Sequence, residues 1–98
     1  GEAPAIIRLH IVREEILTAE VAAKISGDDL IAALRRLGYP ETRQRGSHVR
    51  LTTTQNGKHD VTVPRSDPLR VGTLAAILRD VARHFEIPRD ELVKRLFA

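Results

Sequence analysis

The chain has 98 residues, with sixteen Lys plus Arg against thirteen Asp plus Glu, no cysteine and only 3% aromatic residues. That length fits one domain with a modest core. The absence of cysteine excludes a disulfide framework, a zinc–thiolate site and a thiol nucleophile, and suits a reducing compartment. No apolar run is long enough to span a bilayer, and the N-terminus does not read as a basic-then-apolar leader, so a cytoplasmic protein with no membrane partner is expected.

Residues 1–23 carry two arginines against four glutamates and read as an N-terminal extension, with a domain over 24–98. Within the extension, Ile7, Leu9 and Ile11 alternate with Arg8 and His10, which is strand periodicity and marks a possible edge strand over 5–12. A short helix from Thr18 to about Lys24 follows. Ser26 with Asp29 three residues later predicts a capped helix start. Leu30, Ile31, Leu34 and Leu37 then share one helical face, and Gly38 and Pro40 stop the helix.

Strands are expected over 41–45, 48–54 and 58–63, the last ending at Pro64. A two-residue Asn56-Gly57 turn would pair Leu51 with Thr62 and put Leu51 on the same face as Asp60. A three-residue loop with Gly57 left-handed instead sets Leu51 against Val61, Val49 against Val63 and Thr53 against His59. A one-residue slip exchanges the two faces, so burial favours the second register. Val49, Leu51, Val61 and Val63 then lie under the helices, while His48, Arg50, Thr52, Asp60 and Thr62 point to the opposite face. A further helix is expected from Gly72-Thr73, capped by Thr73, with Leu74, Ile77, Leu78 and Val81 inward. Pro88 opens a short last helix docked by Leu92, Val93 and Leu96. The predicted class is α+β, a three-stranded antiparallel sheet with helices on one face.

Charge is concentrated. Arg35, Arg36, Arg43, Arg45 and Arg50 fall in sixteen residues that hold one acid, Glu41. Such a surface suits a polyanion, because phosphate contacts release counterions, although from charge alone a merely solvated face is the readier reading. There is no helical His-x3-His spacing and no glycine-rich phosphate loop. A metal site would need His48, His59, Asp60 and Asp67 to meet through tertiary structure, so neither a metal nor another cofactor is expected. Ser47 beside His48 is no triad, since adjacent strand residues point apart. What remains is Gly46-Ser47-His48, where a basic, open face begins. An imidazole there can exchange a proton near neutral pH, but by spacing alone it reads more readily as an exposed strand histidine.

Four stretches weigh in favour of chemistry. These are Ser26-Gly27-Asp28-Asp29-Leu30 leading to Leu37-Gly38-Tyr39; Arg45-Gly46-Ser47-His48; Val61-Thr62-Val63-Pro64; and Leu69-Arg70-Val71-Gly72-Thr73-Leu74-Ala75-Ala76-Ile77-Leu78. Together they resemble the HicA (YcfA-like) family of mRNA interferase toxins over about half the chain. The resemblance implies an α-β-β-β-α fold akin to double-stranded RNA-binding domains and ribonuclease activity on mRNA. It also implies an essential histidine, here His48, and a HicB-type antitoxin as partner. Many relatives carry a second histidine two residues after the strand-ending proline, where this chain has Ser66. On this reading the protein is a metal-independent endoribonuclease toxin in which His48 is catalytic and Arg45, Gly46, Ser47, Arg50 and Lys58 contact RNA. The alternatives are a non-catalytic RNA-binding module on the same face, or a domain whose basic face only docks an acidic protein.

Overall fold

The structure, a computed structural model, describes residues 24–97. The expected strand over 5–12 and the short helix after it fall outside the described residues. Helix α1 (Gly27–Leu37) starts at the predicted cap. The Asp29 N–H donates to the Ser26 hydroxyl (3.1 Å), and the Ser26 N–H donates to the Asp29 carboxylate (3.0 Å), so two otherwise orphaned donors are satisfied reciprocally. Gly38, at φ +121°, ends the helix; its N–H reaches back to the carbonyls of Leu34 and Arg35.

Three antiparallel strands follow in sheet order β1-β2-β3: β1 (Glu41–Arg45), β2 (His48–Thr53) and β3 (His59–Pro64). Leu51 lies opposite Val61, Val49 opposite Val63 and Thr53 opposite His59, which is the register that burial favours. The tip differs from the three-residue loop expected, because pairing stops at Thr53 and His59 and residues 54–58 form the turn. The reason is a set of local bonds. The Thr53 hydroxyl accepts from the Gln55 N–H (3.1 Å), and both Asn56 and Gly57 take positive φ, +56° and +92°. Thr54 and Lys58 therefore stay outside the ladder.

Helix α2 (Val71–Phe85) corrects a second expectation. Its N-cap is Arg70, with no side-chain cap, and Thr73 already lies inside the first turn. It continues through His84 to Phe85, where Glu86, left-handed at φ +57°, closes it. Helix α3 (Arg89–Phe97) places Asp90 and Glu91 in its first turn and Lys94 and Arg95 in its last, complementing the helix dipole. Pro88 stands just ahead of it and supplies the carbonyl for its first hydrogen bond, from the Leu92 N–H.

Val49, Leu51, Val61 and Val63 of the sheet and Leu30, Leu34, Leu74, Leu78 and Val81 of the helices are buried together, and Leu92 and Leu96 fasten α3 to the same core. Each such side chain stabilises the fold by roughly 1.5–3 kcal/mol relative to exposure. Among the described residues, the helices therefore lie on one face of the sheet and leave the other open. Gly27 fixes the join between α1 and β3, since a Cβ there would stand 1.9 Å from the Pro64 carbonyl oxygen. No helix among the described residues is long and apolar enough to cross a membrane.

Candidate nucleic-acid interface on the open sheet face

The alternation of β2 builds the site. Val49, Leu51 and Thr53 turn inward, so His48 and Arg50 turn outward, and both are exposed. The two strands beside β2 complete three cross-strand rows. Arg45, His48 and Pro64 form the first, and Arg43, Arg50 and Thr62 the second. Directly opposite side chains in such rows stand about 5 Å apart at Cβ. The third row contains Thr42, Thr52 and Asp60. It depends on a bulge in β1, where pairing jumps from Glu41 opposite Leu51 to Arg43 opposite Arg50, leaving Thr42 as the extra residue. The Thr42 hydroxyl then lies 2.9 Å from that of Thr52, which donates to the Asp60 carboxylate at 2.6 Å.

Arg43, Arg45, His48, Arg50 and Thr62 line one shallow, open depression. Three arginines thus share one depression with a single histidine. Among the described residues, the ion pairs join Arg65 to Asp28 (2.8 Å) and Arg95 to Glu91 (3.1 Å), so no carboxylate there engages Arg43, Arg45 or Arg50. Asp60, at the far row, is held ionised below the usual carboxylate range, first by the Thr52 hydroxyl and then by Lys58 and Arg50.

The turn before His48 is tight. Gly46 takes φ +58°, and Ser47, its neighbour, is not among the positive-φ residues, the pattern of a two-residue type II′ hairpin turn. The Ser47 carbonyl accepts from the Arg65 N–H (2.7 Å), which ties this corner to the loop after β3. Of the residues singled out from sequence, His48, Arg45 and Arg50 come together in the depression, while Gly46 and Ser47 shape its rim. Lys58 lies at the opposite end of the β2–β3 hairpin, beyond the pair Thr53 and His59 and ~20 Å from His48 along the strand. Arg43 and Thr62 line the depression although sequence reasoning did not place them in the site. The signal for Arg43 was its two-residue offset from Arg45, and for Thr62 its position opposite Arg50.

A second polar cluster sits behind the hairpin tip. The hydroxyl of Tyr39, which is fully buried, is hydrogen-bonded to His59 Nδ1 at 2.7 Å, and the His59 ring stacks on His84 with centroids 4.5 Å apart. His84 donates from Nε2 to the Gln55 carbonyl (2.8 Å), and the Asn56 amide donates to the His84 carbonyl (2.7 Å). Burial, followed by the nearby Asp80 charge, pushes the Tyr39 phenol up to about 12. Burial and then the His84 ring lower His59 from its ordinary value, against the pull of Asp80 and Asp60. These imidazoles fasten the tip to α2 and take no place on the arginine face.

Compared with known families, residues 27–82 match the one described as the HicA toxin of bacterial toxin–antitoxin systems. No curated protein and no solved structure matches the chain.

Proposed function

The chain belongs to the HicA toxins of bacterial toxin–antitoxin systems, and from that premise we propose that it is a metal-independent endoribonuclease that cleaves mRNA with His48. The observation that carries this reading is the exposed imidazole of His48 in a depression it shares with Arg43, Arg45 and Arg50. An RNA strand laid across the rows brings a ribose 2′-hydroxyl to the imidazole and the adjoining phosphate to the arginines. His48 takes the 2′-hydroxyl proton as the 2′-oxygen attacks phosphorus. The bond to the 5′-oxygen breaks, and that oxygen leaves with a proton from water or from the imidazolium. The products are a 2′,3′-cyclic phosphate and a 5′-hydroxyl. Arg45, Arg50 and Arg43 offset the charge gathering on the phosphoryl oxygens, and Lys58 holds the strand farther along.

In this reading the fold serves as a relative of double-stranded RNA-binding domains, used here through its sheet. The partner is a HicB-type antitoxin that covers the arginine face, and the site of action is the cytoplasm, where mRNA is available. His48→Ala is expected to reduce cleavage by about 10²–10⁴-fold, while excess EDTA leaves the wild-type rate unchanged. Equal cleavage by both proteins removes His48 from the mechanism, and abolition by EDTA replaces it with a metal. Salt-sensitive RNA binding without product selects the non-catalytic module. Little RNA affinity with tight binding to an acidic partner selects the docking domain.

A further inference from the structure

The third row of the open face differs in kind from the two before it. The first two carry Arg43, Arg45, His48 and Arg50, whereas the third carries Thr42 and Thr52 and ends on the carboxylate of Asp60. Same-face residues of a strand repeat every ~7 Å, so this row lies about 13 Å from that of His48. Thr42 and Asp60 are exposed, and among the described residues no ion pair engages Asp60. Lys58 and Arg50 are nonetheless near enough to act on its charge.

The hydroxyls of the row have a fixed sense. Thr52 has one proton, and it goes to the Asp60 carboxylate at 2.6 Å. The 2.9 Å contact between the two hydroxyls must then take its proton from Thr42, whose longer second acceptor is the Arg50 carbonyl at 3.4 Å. Both protons thus run along the sheet, and the row offers lone pairs to anything above it. The carboxylate alone has about four acceptor positions, and the Thr52 hydroxyl fills one of them.

Such a row repels a phosphate and receives a donor. A strand whose phosphates lie on the arginine rows meets Asp60 with a base or a sugar, and single-stranded RNA is read through base edges turned out of the stack. Two carboxylate oxygens accept side by side and so match an edge with two neighbouring donors. Within a chain the ribose offers one hydroxyl. Guanine offers N1–H beside its N2 amine, with O6 next to them for a nearby cation. Adenine, cytosine and uracil each set an acceptor beside their one donor group, which a carboxylate disfavours. Each step between rows is close to one nucleotide of an extended single strand.

We propose that the third row is a guanine subsite two nucleotides from the attacked ribose, in which the Asp60 carboxylate accepts from N1–H and the N2 amine. Thr52 is a positioning residue that holds the carboxylate toward the base. This inference rests on the RNA reading of the same face and adds a sequence preference to it.

The test uses the full chain carrying His48→Ala, which binds RNA without cutting it. Its affinity is measured by fluorescence anisotropy for hexauridylate and for hexauridylates with one guanosine, adenosine, cytidine or inosine at each position in turn. At the best position guanosine is expected to bind about 5- to 100-fold tighter than uridine. Inosine, which lacks the N2 amine, should lose most of that gain. Added Asp60→Asn should abolish the preference, and added Thr52→Val should reduce it. Equal affinity for all the oligonucleotides overturns the subsite while leaving RNA binding intact. Inosine equal to guanosine also overturns it, as does a guanosine preference that survives Asp60→Asn. Should Asp60→Asn fail to fold, the comparison of inosine with guanosine decides without any change at the row. Failure to bind every oligonucleotide at low salt removes the RNA reading itself, and the subsite with it.

Discussion

The buried Tyr39 hydroxyl meets one side chain, His59 at Nδ1, donating to that nitrogen when it is bare and accepting from it when it carries a proton. Because His59 is held below its ordinary value, the unfolded chain binds the proton more readily than the folded one. Stability attributable to this cluster is then complete above about pH 6.5, the unfolded value, and declines as pH falls through that value toward the folded one. Tyr39→Phe is expected to cost about 0.5–1.5 kcal/mol at pH 7.5, measured by urea unfolding. At pH 5 the penalty should be larger, because protonated His59 donates a charge-assisted bond from Nδ1 to the phenol oxygen. A penalty independent of pH would mean that the hydroxyl acts through packing alone.

Among the elements, the junction of α1 with β3 has the least tolerance. A Cβ at position 27 would meet the Pro64 carbonyl at 1.9 Å and the Arg65 Cα at 2.9 Å, both backbone atoms that move only with their element. Gly27→Ala is expected to lower unfolding free energy by about 1–3 kcal/mol, as overpacking does, read from the denaturation midpoint at constant slope. Gly46→Ala is the control, since nothing lies within 4 Å of its added Cβ and only its φ of +58° opposes the change. It should cost about 1–2 kcal/mol and leave α1 in place. The capping box of α1 and the β2–β3 register were legible because a local bond and a two-residue alternation encode them. The start of α2 was not, because Thr73 resembles a cap while packing of Leu74 and Leu78 draws the cap three residues farther back, to Arg70.

For the whole molecule, the decisive feature is that the arginines of the sheet share its open face. The described helices lie on one face of the sheet, so the arginines of β1 and β2 stay in water together on the other. If RNA is held there, binding should weaken steeply with salt. Each phosphate contact on a single strand contributes about 0.7 to the logarithmic salt slope. Measured with His48→Ala to prevent cleavage, the additional changes Arg43→Gln, Arg45→Gln and Arg50→Gln are expected to reduce that slope by about 2. An unchanged slope would place the RNA on another surface.

By itself the sequence determined the order of the described secondary elements, the buried face of the hairpin and the exposure of His48. Periodicity and caps are properties of neighbouring residues, and a wrong register would have buried Asp60. It also carried the family resemblance, in blocks whose order survives in the chain. Tertiary structure alone decided which distant groups meet. Tyr39, His59 and His84 converge from three separate segments, and a bulge at Thr42 brings one more hydroxyl onto the open face. Those meetings follow from how the helices close over the sheet, and no local spacing encodes them.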